Sequence, residues 1–267
     1  MARLQIGNTK EPFTIHEELI CSQSPYFRER LQKGRKPIEG ECPICHENMN
    51  PTRTDITFCR VSCGANIHSD CLEKWKMQSS FLMRSTTCPM CRRMWQSERS
   101  EQTHTFLALS AKPFHCYYEW SYSRHIPLST LKSSPNNIEA GWDMDALINA
   151  YSLGTRIQDN TFSKAVLQAL CEVCQDEDRY PGGGSIALAY ASTTDGSPLR
   201  KLLVDIYVLR AETSWFERDD EWRGYPPKFL TDLAMAFFNQ RRVSNDCEEE
   251  LEQLKDKYCI NNGQRPE

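Results

Sequence analysis

CPICHENMNPTRTDITFCRVSCGANIHSDCLEKWKMQSSFLMRSTTCPMC, residues 42–91, holds seven of the chain's thirteen cysteines and two histidines, His46 and His68. As spacing, the set runs Cys42-x2-Cys45-x13-Cys59-x3-Cys63-x4-His68-x2-Cys71-x16-Cys88-x2-Cys91. Eight candidate ligands make two tetrahedral sites. Zinc takes thiolate and imidazole at roughly 2.0–2.3 Å, and a two-residue gap lets paired sulfurs turn back on one ion while neighbouring backbone amides face them. A single cysteine or histidine is more often a packed core residue, but ordered pairs at this spacing have little other use. His68 is therefore read as a ligand and His46, beside Cys45, as a solvent-facing side chain. Four protein ligands per ion leave no position for an activated water, so the metal builds shape and does not hydrolyse.

Working outward, the 267-residue chain is long enough for one large domain or two small ones and can bury roughly 70% of its unfolded surface. Its 39% hydrophobic, 10% aromatic and 25% charged residues are those of a folded protein and argue against a largely disordered one. A net charge of -4 provides no basic footprint for nucleic acid or an anionic membrane, so neither is expected as a partner. The start, MARLQIGNTKEPFTIHEELI, lacks the apolar stretch of a signal peptide, and no run approaches the roughly 20 apolar residues of a membrane span. These features place the chain in the reducing cytosol or nucleus. There thiols stay reduced, and clustered cysteines read as metal ligands, not disulfides.

Two families share this ligand order, the RING finger and the PHD finger, and the residues between the ligands separate them. Proline follows the first ligand of both outer pairs, CPIC and CPMC, and HSDCLEKW puts Leu72 and Trp75 about one helical turn apart. Thr86 stands where a PHD finger usually carries an aromatic residue. The segment of about residues 40–93 resembles a RING finger. That resemblance implies interleaved binding, with Cys42, Cys45, His68 and Cys71 on one Zn2+ and Cys59, Cys63, Cys88 and Cys91 on the other. Cross-bracing would then replace a core, because about 50 residues bury too little to be securely stable alone and each structural zinc supplies about 10–16 kcal/mol.

The resemblance also implies a shallow apolar groove that receives a ubiquitin-conjugating enzyme. Ile44, Trp75 and Pro89 occupy the matching positions, and Leu72 and Met90 are expected at its border. Packing within the small module is the alternative for Ile44 and Trp75, and loop rigidity for Pro89. Arg92, directly after the last ligand, matches the position whose cation hydrogen-bonds both the conjugating enzyme and its ubiquitin, making it the candidate catalytic residue. An ordinary surface role is its alternative, since Arg93 adjoins it.

The flanks read as one domain interrupted by the zinc segment. RLQI alternates, PFTIHEELI is a strand entering a helix, and SPYFRERL is a second helix with Ser24 as its cap. Beyond the polar QSERSEQT, TFLAL is a strand candidate leading to the aromatic helix KPFHCYYEWSY. With Phe114, Trp120, Tyr122 and LINAYSLGTRIQDNTFSKAVLQAL, this pattern resembles the BTB/POZ fold of the fungal type over about 1–39 and 104–175. The resemblance implies an α+β architecture in which a two-zinc RING sits in a surface loop of a BTB/POZ-like α/β core, with a helical extension over about 185–260. It places His16 at a strand-helix corner and makes a homodimer a possible assembly. QKGRKPIEG lacks a clear hydrophobic-x-Glu contact motif, so a cullin is not expected.

KSSPNNIEAG, QDEDRYPGGG and STTDGSP read as loops, and Gly182–Gly184 as a flexible turn lacking the Lys-Ser/Thr ending of a phosphate loop. SPLRKLLVDIYVLR is expected as a helix capped by Ser197, with Leu199, Leu202, Leu203 and Ile206 on one face; PPKFLTDLAMAFFNQRR is expected as another, and NDCEEELEQLKDKY as a last, solvated one. Cys171 and Cys174 read as packed residues, and Trp215 and Trp222 as packing against the helical extension more readily than as a binding patch. The function that follows from these resemblances is a RING-type ubiquitin-protein ligase acting on an unknown protein substrate. A zinc-braced adaptor or dimerising scaffold without transferase activity is the second reading, and a PHD-type histone reader the third.

Overall fold

Strands from the two sides of the cysteine-rich segment pair in one sheet. The computed structural model describes residues 1–51, 53–81, 85–96, 103–128, 144–176, 179–217 and 224–240. They fall into two compact units, Met1–Tyr180 with Ala191–Thr193, and Pro181–Tyr190 with Thr194–Glu267.

In the first unit β1 (Ala2–Ile6) pairs antiparallel with β2 (Phe13–Ile15), Ala2 opposite Ile15 and Leu4 opposite Phe13. The alternation of ARLQI buries Ala2, Leu4 and Ile6 on one face. Helices α1 (Glu17–Gln23) and α2 (Pro25–Leu31) follow, separated by Ser24. The Ser24 hydroxyl accepts from the Phe27 amide at 3.3 Å and Pro25 takes the first helical turn, as expected of a capped start. The cysteine-rich segment then adds an antiparallel hairpin, β3 (Ile56–Phe58) with β4 (Asn66–His68), and α3 (Ser69–Phe81). Strand β5 (Thr103–Phe106) returns to lie parallel to β1, Arg3 opposite Thr103 and Ile6 opposite Phe106. The sheet order is β2-β1-β5.

That strand begins earlier than TFLAL suggests. Phe106 is buried, but Leu107 is 70% exposed, and the amides of Gly7 and Leu109 both turn onto the Phe106 carbonyl at 3.1 and 3.2 Å. The alternation of TFLAL belongs to a turn.

Helices α4 (Ala111–Ser123), α5 (Met144–Arg156) and α6 (Asn160–Asp176) complete this unit. Its core is aromatic. The Phe27 ring of α2 lies 5.1 Å from Phe106 of β5 and 6.0 Å from Phe114 of α4, so sequence on both sides of the cysteine-rich segment fills one interior. Tyr117 and Trp120 of α4 each approach Phe162 of α6 at 5.0 Å. The His16 amide donates to the Tyr122 hydroxyl at 3.1 Å, at the corner between β2 and α1. Asp159 caps α6, accepting from the Thr161 and Phe162 amides at 3.0 and 2.9 Å and from the Tyr117 hydroxyl at 3.2 Å.

The second unit contains most of α7 (Gly183–Ser192), then α8 (Pro198–Arg210), α9 (Ser214–Glu217) and α10 (Pro227–Gln240). They gather around Tyr207, whose ring lies 5.0 Å from Phe229 and 5.2 Å from Trp215 and whose hydroxyl donates to the Pro181 carbonyl at 2.6 Å. Trp215 thus packs. Two local expectations need correction. Gly183 and Gly184 open a helix instead of forming a turn, because SIALAYA buries Ile186, Ala189 and Tyr190 and outweighs the roughly 1 kcal/mol that each glycine costs. Ser197 stands at the N-cap of α8 but its side chain makes no capping hydrogen bond.

The segments 132–141 and 245–258, the latter expected as the last helix, and Trp222 lie outside the described residues. Among the described residues no helix is long and apolar enough to cross a membrane.

Candidate metal centre

The two outer cysteine pairs lie on two copies of one backbone turn. In the first, the His46 amide donates to the Cys42 carbonyl at 2.9 Å and the Cys42 amide to the Glu47 carbonyl at 2.9 Å. In the second, the Arg92 amide donates to Cys88 at 2.9 Å and the Cys88 amide to Arg93 at 2.8 Å. An isolated bridge closes each, Glu41 with Asn48 and Thr87 with Met94. Both turns carry a left-handed residue just after the second cysteine, His46 at φ 62° and Arg92 at φ 59°. This geometry swings the two sulfurs of a pair to the same side.

The remaining ligands come from the hairpin and helix between the turns. Cys59 and Cys63 lie in the loop that joins β3 to β4, His68 ends β4, and Cys71 lies in the first turn of α3. Two clusters result, Cys42, Cys45, His68 and Cys71, and Cys59, Cys63, Cys88 and Cys91, each with all ligand atoms within 4.8 Å of one another. Each turn shares a cluster with residues of the segment between them, which is the interleaved pairing expected from the sequence. His46 is exposed and belongs to neither cluster.

The distances fit zinc. A tetrahedron with Zn–S near 2.3 Å and Zn–N near 2.0 Å has S···S edges of about 3.8 Å and S···N edges of about 3.5 Å. Cys59 and Cys91 sulfurs lie 3.9 Å apart and those of Cys63 and Cys88 3.7 Å apart. The Cys45 and Cys71 sulfurs lie 3.4 and 3.9 Å from His68 Nδ1, which identifies Nδ1 as the ligating nitrogen. Nε2, on the far side of the ring, is buried without a hydrogen-bond partner. Burial pushes the Cys71 and Cys88 thiols up to about 12, whereas the Arg93 amide holds Cys91 down at about 6. Without a cation these sulfurs cannot all ionise together, and a divalent ion reverses that balance by deprotonating coordinated thiols outright. The two clusters therefore fit two Zn2+.

Around them lies a small interior of Cys42, Cys59, Ile67, Cys71, Leu72, Cys88 and Trp95, against which Ile44 and Trp75 pack while staying partly exposed. The Trp75 indole donates to the Thr87 carbonyl at 2.8 Å, tying α3 to the second turn next to Pro89. Pro89 is partly exposed, Met90 57% exposed and Arg92 exposed. Leu72, expected at the border of a groove, is 3% exposed and belongs to this interior.

Residues 40–92 match the family described as Ring finger domain. This segment is a RING finger. Part of the chain is similar to the human "E3 ubiquitin-protein ligase ZSWIM2", 31% identical over 91 residues, which is 32% of this chain and 13% of that protein. It is also similar to the mouse "E3 ubiquitin-protein ligase DZIP3", 29% identical over 96 residues, which is 33% of this chain and 7% of that protein. These relatives are thus much longer, and the likeness covers a small part of each. No solved structure matches the chain.

Outside the RING, Cys171 and Cys174 gain no further ligand among the described residues. Burial pushes both thiols up, Cys174 to about 11, as packing residues. Sequence reading missed Arg35, Arg60 and Gly64, which join the RING to the helices before it. Only Gly64, a glycine next to a ligand, carried a local signal.

Proposed function

We propose that this chain is a RING-type ubiquitin-protein ligase that binds a ubiquitin-conjugating enzyme and promotes transfer of its ubiquitin to a substrate lysine. The observation that carries the reading is that Ile44 and Trp75 pack against the RING interior while remaining partly exposed, with Trp75 bonded to the second metal turn that carries the partly exposed Pro89 and the exposed Met90 and Arg92. Partly exposed apolar groups backed by a rigid interior suit a docking site of modest area. The printed names of the partial relatives support the same reading.

In this reaction the lysine amine attacks the thioester carbonyl of the enzyme-bound ubiquitin, an amide bond forms, and the cysteine thiol of the conjugating enzyme leaves. The RING contributes orientation. Arg92 donates hydrogen bonds to the conjugating enzyme and to ubiquitin, restraining the thioester in a reactive pose, and no residue of this chain is acylated.

The reading extends to the rest of the chain. The order β2-β1-β5, the helix pair α1–α2 and the return of β5 parallel to β1 support a BTB/POZ-like platform over 1–39 and 104–175, through which the chain would dimerise and select its substrate. Seven thiolate ligands require a reducing compartment, the cytoplasm or nucleus.

Ubiquitin-chain formation with a panel of conjugating enzymes tests the proposal. The native chain should be active with at least one, Ile44→Ala should be folded and inactive with that enzyme, and Cys42→Ser should lose both zinc and activity. A native chain with two zincs and no activity across the panel would leave a scaffold role instead.

A further inference from the structure

The RING is joined to its host by more than two chain ends. Arg60, one residue after the ligand Cys59, reaches out of the RING to α1 and α2. Its Nη2 donates to both oxygens of Glu17 at 2.7 and 2.9 Å, and its Nη1 donates to the Leu31 carbonyl at 2.9 Å. Glu17 opens α1 and Leu31 closes α2, so the anion sits at a helix N-terminus and the cation at a C-terminus, each where the helix dipole favours it. Arg35 reaches the other way, from the connection into the RING. Its Nε donates to Asn66 Oδ1 at 2.8 Å and its Nη1 to Glu18 at 2.5 Å. Both guanidinium groups lie over the Phe58 ring of β3, 4.9 Å for Arg35 and 4.4 Å for Arg60.

Backbone contacts continue the junction. The Lys36 backbone amide donates to the Gly64 carbonyl at 3.0 Å, and the Asn66 side chain donates through Nδ2 to the backbone carbonyls of Lys36 and Pro37 at 3.0 Å each. A side chain at Gly64 would place its Cβ 1.9 Å from the Gly34 carbonyl oxygen. Several contacts that do not lie along one line block rotation as well as separation. A flexible linker would leave both free.

We infer that the RING is clamped in one orientation on the α1–α2 pair, and that Arg60 and Arg35 are positioning residues that limit which lysines the bound ubiquitin can reach. The consequence for lysine choice rests on the ligase reading above; the clamp itself does not. Because Arg60, Gly64 and Asn66 lie among the zinc ligands, the clamp forms only when the RING is folded around its metal.

The test uses the full chain carrying genetically encoded spin labels at Glu29 on α2 and Glu73 on α3. Native protein should show one narrow distance between them. Arg60→Glu should lose it and give a broad distribution, and the swap Arg60→Glu with Glu17→Arg should narrow it again in part, since a carboxylate at position 60 re-forms the ion pair but cannot donate to the Leu31 carbonyl, all three retaining two zincs. Should Arg60→Glu lose zinc, Arg60→Gln, which keeps a donor but no charge, makes the same comparison. In parallel, discharge of a ubiquitin-loaded conjugating enzyme onto free lysine should be equal in all variants, while the ubiquitin-bearing lysines of the chain itself should be few in native protein, spread in Arg60→Glu and fewer again in the swap. A broad distance in native protein, or a narrow one that Arg60→Glu and Arg60→Gln leave unchanged, would overturn the clamp. A clamp confirmed by distance with an unaltered lysine map would overturn its role in lysine choice, and absence of discharge in native protein would refute the ligase reading while the distances still decide the clamp.

Discussion

His46 and Arg92 hold the same place in two copies of one metal-binding turn, each donating its amide to the carbonyl of the first cysteine of its pair at 2.9 Å and each in the left-handed region at φ 62° and 59°. The backbone demands the same of both positions. Their side chains are free to serve different ends, and this allows folding and transfer to be separated by mutation.

Replacing either residue with glycine removes a left-handed penalty of about 1 kcal/mol, less what the unfolded chain gains in freedom. His46→Gly should leave stability unchanged or raise it slightly and leave ubiquitin transfer intact. Arg92→Gly should match it in thermal unfolding and zinc content but lower transfer severalfold. Equal transfer by both variants would reassign Arg92 to an ordinary surface role.

Gly64→Ala should weaken the junction between the RING and the helices before it. The new Cβ meets the Gly34 carbonyl oxygen at 1.9 Å, and φ is +64°, so strain and collision act together. A loss of about 2–4 kcal/mol in chemical denaturation is expected, with earlier proteolytic cleavage around residues 33–39.

Gly154→Ala should cost about 1–3 kcal/mol through overpacking between α5 and α6. Its Cβ would meet Ser163 Oγ at 2.5 Å and Phe162 Cδ1 at 3.0 Å. Adding Ser163→Ala removes the nearer contact and should recover part of the loss, as read by urea denaturation.

Asp159 supplies a pH signature. Burial raises its carboxyl above the ordinary range, against hydrogen bonds from Phe162, Tyr117 and Thr161 that favour the anion. A raised folded value means that its contribution to stability is complete below the unfolded carboxylate range and fades as pH rises through the raised value. Asp159→Asn keeps an oxygen for the cap and removes the charge, so its stability relative to native protein should improve from pH 5 to pH 8. Asp159→Ala removes the same charge but also loses the cap, so it should follow the same pH trend and lie about 1–2 kcal/mol below Asp159→Asn at every pH.

What could be read in the sequence followed the range of the forces involved. The eight ligands were legible because metal chemistry constrains their spacing, and Ser24 because a cap needs only residues three apart. The strand written as TFLAL slipped to Thr103–Phe106 because pairing with β1 and the turn at Phe106 decide it, and a five-residue alternation cannot record those contacts. Leu72, which the RING resemblance puts at a groove border, is buried in one cluster with Ile67 and Trp95, a packing that ligand spacing does not record. The arginine clamp left no trace at all, since Arg60 meets Glu17 across 43 positions and neither has a distinctive neighbour.

The account depends most on two closed metal sites of different composition. X-ray absorption at the zinc edge, on full-length protein with its metal content measured, should find two zincs per chain and a shared first shell of seven sulfurs to one nitrogen, the seven cysteines and His68. One zinc per chain, or a shell containing more nitrogen or any oxygen, would contradict it.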